Sequence, residues 1–337
     1  MINIIRISGV LLTIMLVQSC KKDEPAGKVS SCLTQEATNV SESGATLNGI
    51  VNANNLSTIV TFEYGTTPSY GFNFSANPYI VTGDSLTHVS ADIDRLLPGT
   101  IYHFRLNAVN SLDTIYSEDA TFSTLEINPV NFNPDLTYGS VSDIDGNTYK
   151  TIQIGTQTWM AENLKTTKYN DGIAIPNIKD DTGWGTLSTG AYCDYYNFPA
   201  YSAIYGRLYN WFVAASTNLK NVCPTGWHVA SDTEWTVLID YLGGESGVEY
   251  KLKEAGTAHW PDPNTDATNE SGFTALPGGG RYQPDTFGDV GAHANWWLST
   301  EHDAANGAFY HLSFSGGSNG GYFSKDAGFS VRCLKDN

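Results

Sequence analysis

Positive charge is scarce in this chain. Eighteen lysines and arginines stand against 35 aspartates and glutamates, a formal charge of −17. Such a surface repels phosphate backbones, so no nucleic acid is expected as a partner, and the plain consequence of the charge is solubility. Long apolar runs are also missing. The main one, from Ile7 to Val17, is interrupted by Ser8, Gly9 and Thr13 and falls short of the roughly 20 residues that span a bilayer. No phosphate loop or His-x-x-x-His pair occurs, which removes the usual sequence marks of nucleotide enzymes and zinc enzymes. Cysteine is limited to five residues.

Aromatic residues and glycine are plentiful, with 8 Trp, 19 Tyr, 14 Phe and 33 Gly. They suit short strands, tight turns and amphipathic contact surfaces better than long helices. A 41% hydrophobic and 16% charged composition predicts a largely globular chain, and 337 residues exceed one ordinary core, so two domains are expected.

Arg6 followed by the short apolar run has the form of a signal peptide over 1–19. Val17-Gln18-Ser19-Cys20 resembles a lipobox, with a small residue before the cysteine. That resemblance implies acylation of Cys20, and several acyl chains at about 0.8 kcal/mol per buried methylene make anchoring stable. Lys21-Lys22-Asp23-Glu24-Pro25 opens a tether over 20–28 and resembles the charged export tags of Bacteroidetes surface lipoproteins. The expected location is therefore the outer membrane, at the cell surface or, alternatively, facing the periplasm.

Residues 29–125 alternate with period two. Val60, Phe62 and Tyr64 share one face, as do Tyr102, Phe104, Leu106 and Ala108. Asn52 to Asn55, Gly65 to Pro68 and Pro98-Gly99 supply turns. This predicts a β-sandwich. Phe62-Glu63-Tyr64-Gly65 and Leu96 to Tyr102 are similar to signatures of the fibronectin type III family, whose Ig-like sandwich commonly serves as a spacer or binding unit.

Residues 126–140, with Pro129 and Pro134, read as a linker. In 141–337 a hairpin is expected across Gly155, from Ile152 and Ile154 to Trp159. A helix is expected after Ser231, which forms a capping box with Glu234. Trp235, Leu238, Ile239 and Leu242 give it one apolar face, and Gly243-Gly244 ends it. Shorter helices are expected near 248–255 and 208–215, with loops and short strands from 256 onward.

Several blocks carry a resemblance: Gly155 to Leu164, Gly206 to Trp211, Cys223 to Val229 running into Trp235, Ser271 to Gly279, Trp296 to Glu301 and Gly328 to Cys333. Together they resemble the FISUMP family, the Fibrobacter succinogenes major paralogous domain. The resemblance implies a C-type-lectin-like or formylglycine-generating-enzyme-like α+β fold, with function on long loops. The chain as a whole is then mainly β with α+β, a sandwich followed by that domain.

Copper enzymes of such a fold use two close cysteines, and only Cys193, Cys223 and Cys333 lie in this half. His228, His259, His293, His302 and His311 show no metal spacing, although His302 and His311 could meet in space. No enzyme and no cofactor is therefore expected. Calcium is the one cofactor left open, at Asp143, Asp145 and Asn147 or around Asp262, Asn264, Asp266, Asn269 and Glu270, with turn chemistry as the competing reading. Cys223 pairs with Cys333 or with Cys193. The expected function is binding of a glycan or protein ligand through Trp297, His302, Asp303, Asn306, Tyr310, Ser318, Asn319, Tyr322 and Phe323, because aromatics give contact area and Asn and Ser give adaptable hydrogen bonds. Trp296 shares that stretch, and at least one of the two adjacent tryptophans is expected in the core. A structural or adhesive component and an undescribed enzyme are the alternatives.

The anchor is directly testable. Cells fed radiolabelled palmitate label the chain, and Cys20→Ser abolishes the label; retention of label in the variant would disprove acylation at this thiol.

Overall fold

A computed structural model describes residues 28–215, 220–264, 266–282 and 286–337. The leader, Cys20 and all but the end of the tether lie outside the described residues. The chain divides into two compact units. One contains the described residues up to Thr38, with 46–92 and 102–122; the other contains 39–45, 93–101 and 123–337.

The strands of the N-terminal part are β1 (Ser31–Thr38), β2 (Ala45–Asn52), β3 (Thr58–Gly65), β4 (Phe72–Val81), β5 (Leu86–Ile93), β6 (Ile101–Val109), β7 (Thr114–Tyr116) and β8 (Ala120–Ser123). They run β1-β2-β5-β4-β3-β6-β7, with β8 on β6, and β4 joins β5 through the single pair Asn77–Ser90. The expected alternation appears directly. Val60 and Phe62 pair with Ala108 and Leu106, and all four are buried. Tyr102 is buried and stacks on Phe122. On the opposite face Arg105 pairs with Glu63 at 2.8 Å and lies over the rings of Tyr70 and Tyr116. Tyr64, at the end of β3, is only half-buried and stacks on the exposed Phe72.

The second unit opens with β9 (Gly139–Ser142), β10 (Thr148–Ile154) and β11 (Gln157–Met160). Gly155 turns the β10–β11 hairpin at φ +60, a value that favours glycine. Then follow α1 (Asp181–Gly185), β12 (Tyr192–Cys193), α2 (Pro199–Tyr205), β13 (Leu208–Tyr209), α3 (Trp211–Ala214), β14 (Trp227–Val229), α4 (Asp232–Tyr241) and α5 (Val248–Leu252). The chain ends with β15 (Gly278–Tyr282), β16 (Thr286–Val290), β17 (His293–Glu301), β18 (Asn306–Ser313), β19 (Ser318–Ser324) and β20 (Cys333–Lys335). One sheet runs β14-β20-β11-β10-β9 and another β16-β15-β17-β18-β19. The fold is mainly β.

α4 forms as its sequence requires. Ser231 Oγ accepts from the Glu234 amide, and Glu234 returns a carboxylate to the Ser231 amide at 2.8 Å. Trp235, Leu238 and Ile239 are buried, and Gly244 closes the helix on the Ile239 carbonyl. Three expectations are corrected. The stretch 208–215 is a two-residue strand and a single turn of helix. The segment read as a linker packs along the second unit: Phe132, Leu136 and Tyr138 lie against its core, and the Asn131 amide donates to Glu254. The region after 256 holds a five-stranded sheet with strands up to nine residues long. Its central strand escaped notice because β17 is buried on both faces, and a doubly buried strand loses its period of two.

Trp296 and Trp297 show this most clearly. Trp296 enters the cluster of Trp159, Trp235 and Phe273, while Trp297 enters that of Trp211, Trp227 and Phe329. Both are essentially unexposed, and each indole N–H has a partner: Asn163 Oδ1 for Trp296 and the Tyr209 carbonyl for Trp297, both at 2.8 Å.

Asn163 is the centre of a buried polar hub. Its Oδ1 also accepts from Arg332 Nε at 2.8 Å, and its Nδ2 donates to the Tyr205 carbonyl and to Ser330 Oγ. Arg332 also donates through Nη1 to the Phe273 carbonyl and through Nη2 to the Thr274 carbonyl, and it lies over the Phe273 ring. Burial pulls its guanidinium down to about 9, with Glu162 opposing. Cys223 and Cys333 form a disulfide that closes a 110-residue separation, worth about 4–5 kcal/mol on chain entropy. Cys32 and Cys193 are free. Burial pushes the Cys193 thiol up to about 12 against the pull of Arg281.

Replacing Asn163 with Ala leaves two buried donors without an acceptor, one of them charged. Urea denaturation should show a loss of about 3–5 kcal/mol; a loss below about 1 kcal/mol would mean that the hub does not hold the unit together.

Candidate functional site

The nine residues expected to bind ligand separate into two groups. Trp297 and Tyr310 are corrections, since both are core. Tyr310 stacks on Trp235 at 4.6 Å and donates to Glu245 at 3.0 Å. Phe323 is half-buried among Phe309, Phe329 and Tyr282. Ser318 donates to Glu245, and Asn319 is exposed on β19 opposite His311.

His302, Asp303, Asn306 and Tyr322 do come together, at the β17–β18 turn and the edge strand β19. Asp303 accepts from the amides of Ala305 and Asn306 at 2.7 and 2.8 Å, and from Asn306 Nδ2. The Asn306 side chain and these two amides hold its carboxyl below the usual aspartate range. The turn is thereby fixed, and His302, next to Asp303, lies parallel to Tyr322 with ring centroids 3.5 Å apart and an interplanar angle of 10°. Tyr322 is 56% exposed. The pairing of Tyr322 with Ala308 sets it on the Tyr310 face of the sheet.

On the other face, at the same end, lies an open cleft of about 400 Å³. Tyr169, Ser188, Thr189, Phe212, Glu301 and Lys325 line it. Lys325 is buried, donates to Glu301 at 2.5 Å and to the Ala304 carbonyl, and lies over the Trp211 ring. Sequence reasoning missed the cleft. Its walls come from five separate stretches, and Lys325 carried no motif.

His302 and His311, which spacing left free to meet, do not; His311 instead contacts His293. His228 bridges Glu234 and Asp336 at 2.9 and 2.6 Å. Burial opposes its charge, but those two acceptors outweigh it and raise the imidazole above its ordinary value. His259 is buried against Glu254 at 2.6 Å and likewise raised: burial disfavours the charge, and Glu254 more than compensates. Asp143 spends both oxygens locally, on the amides of Asp145 and Asn147, the Asn147 side chain and the Tyr149 hydroxyl. Asp145 sits at about 2: burial raises it, but the Thr167 amide, Lys168 and two threonine hydroxyls pull it down further. Asn264 donates to two carbonyls, Asn269 bonds Thr274, and Glu270 pairs with Lys251. Among the described residues no group of three or more His, Cys, Asp or Glu is arranged to hold an ion.

Residues 152–335 match the Fibrobacter succinogenes major domain, more than half of the chain. The chain belongs to that family. The family's motif blocks meet at the hub, through Asn163, Phe273, Thr274, Trp296, Ser330 and Arg332. The Fibrobacter succinogenes major domain residues singled out by sequence are therefore largely architectural, and the exposed turn at 302–306 lies outside the blocks. No curated protein matches the chain. Among solved structures, the sensor domain of the anti-sigma factor RsgI4 of Pseudobacteroides cellulosolvens is similar in a shorter and a longer form. The shorter is 20% identical and covers 29% of this chain and 96% of that one, with a TM-score of 0.24. The longer is 19% identical and covers 31% and 97%, also with a TM-score of 0.24. A likeness at this level says nothing further about this chain.

The two tyrosines should behave oppositely. Tyr310→Ala removes a buried ring and should lower stability by about 3–5 kcal/mol, whereas Tyr322→Ala should change it by less than about 0.5 kcal/mol. Thermal melts of both variants check this, and equal losses would contradict the placement of Tyr322 on the surface.

Proposed function

We propose that this chain is an envelope lipoprotein of recognition type, which binds a glycan through the end of the sheet marked by His302 and Tyr322. The N-terminal sandwich is read as a fibronectin type III spacer over 29–125, and residues 141–337 as a C-type-lectin-like carrier of the site. The observation that carries the reading is the exposed, parallel His302–Tyr322 pair beside the fixed Asp303–Asn306 turn. A flat aromatic face stacks on the apolar face of a sugar ring, and neighbouring amide and carboxylate groups accept and donate to its hydroxyls. The rigid turn lowers the entropy lost on binding. Anchoring by Cys20 places the unit at the outer membrane, with the cell surface favoured by the charged stretch after it. A protein ligand at the same surface is the second reading, supported by the edge position of β19, which pairs with no further strand among the described residues.

A glycan array probed with the whole chain tests this. Hits are expected, and His302→Ala combined with Tyr322→Ala should weaken them at least tenfold, about 1.4 kcal/mol, with the melting temperature unchanged. Undiminished binding in that variant would rule out this surface. An array without hits would favour the structural or adhesive role.

A further inference from the structure

β17 and β18 carry a second cluster that the His302–Tyr322 surface does not use. The register pairs His293 with Ser313 and Asn295 with His311, so His293 and His311 are diagonal neighbours on one face. His293 Nδ1 and His311 Nε2 are 3.2 Å apart, and the ring centroids 4.9 Å. Both side chains are half-buried, and the edges of Phe309 and Phe314 flank them.

The hydrogen bonds behind the pair fix its tautomer. Asn295 is buried, and its Nδ2 donates to the Gly279 carbonyl at 3.2 Å, which orients the amide. The same Nδ2 reaches the Tyr282 hydroxyl at 3.2 Å, and that hydroxyl donates to Asp289 at 2.7 Å. Asn295 Oδ1 is then an acceptor, so His311 Nδ1, 2.9 Å away, must carry the proton. His311 Nε2 is left with a lone pair aimed at His293.

We propose that His293 and His311 form a two-imidazole chelate for a divalent transition ion of the Cu²⁺ or Zn²⁺ type. Two nitrogens bound at 2.0–2.1 Å in tetrahedral geometry lie about 3.3 Å apart, close to the separation already present. The buried Asn295 plays the part of the outer partner that orients a ligating histidine, with Tyr282 and Asp289 behind it. Without metal, His293 Nδ1–H donates to His311 Nε2. On binding, that proton moves to His293 Nε2, which frees both lone pairs for the ion. Water completes the shell, since no third side chain of the usual kinds is arranged to join it among the described residues. Positions held by water are open to the oxygens or nitrogens of a further ligand. Imidazole ligation favours Cu²⁺ over Zn²⁺ in affinity.

Titrating the full chain with Cu²⁺ at pH 7.5, followed by electron paramagnetic resonance, tests the assignment. One equivalent should bind with hyperfine structure from two imidazole nitrogens. His293→Gln should weaken binding at least tenfold and His311→Gln similarly, while His88→Gln, an exposed position in the N-terminal sandwich, leaves it unchanged. Should His311→Gln fail to fold, the half-buried His293 variant decides alone, with its melting temperature in chelator as the check on folding. A spectrum with one nitrogen or none, or equal affinity in folded His293→Gln, would overturn the proposal.

Discussion

A charged guanidinium buried without a carboxylate partner holds the second unit in one arrangement. Arg332 is almost wholly excluded from water, and its donors end on the Asn163 side chain and on the carbonyls of Phe273 and Thr274. A buried ion is costly unless it is hydrogen-bonded, so the segments that supply these acceptors cannot shift independently. Asn163 follows β11, Phe273 and Thr274 precede β15, and Trp296 lies in β17. The hub therefore fixes the hairpin, the central strand and the C-terminal strand against one another.

That constraint decides what β17 can do. Trp296 is tied to Asn163 on one face, and Trp297 to the Tyr209 carbonyl on the other, so the strand divides two clusters of aromatic core. Only its ends reach solvent. At one end the turn at 302–306 presents His302 over Tyr322, and at the other His293 meets His311. Both surface features thus lie at the margins of a rigid sheet, where side chains are held in position by backbone that cannot relax.

Much of the fold was legible because its signals are local. The capping box of Ser231 and Glu234, the apolar stripe of α4 and the glycine turn at Gly155 each depend on residues a few positions apart. The alternation of β3 and β6 was readable because each buries one face only. β17 was not readable, since consecutive buried residues carry no period, and β13 with α3 was mistaken for one helix because both are too short to establish one. For the proposed surface, aromatic content marked a stretch of chain without separating its exposed side chains from its buried ones. Tyr310 has the same residue type as Tyr322, and Trp297 is likewise aromatic, but both face inward.

The sequence by itself determined the membership of 152–335 in its family, the mainly β character and the position of α4, because these follow from motif order, composition and short-range pattern. Only the tertiary structure decided which aromatics are core, which histidines meet and where Arg332 finds its acceptors. Those outcomes rest on strand register and on contacts between residues 16 to 169 positions apart, and no local pattern encodes the side of a sheet on which a doubly buried strand will place its next residue.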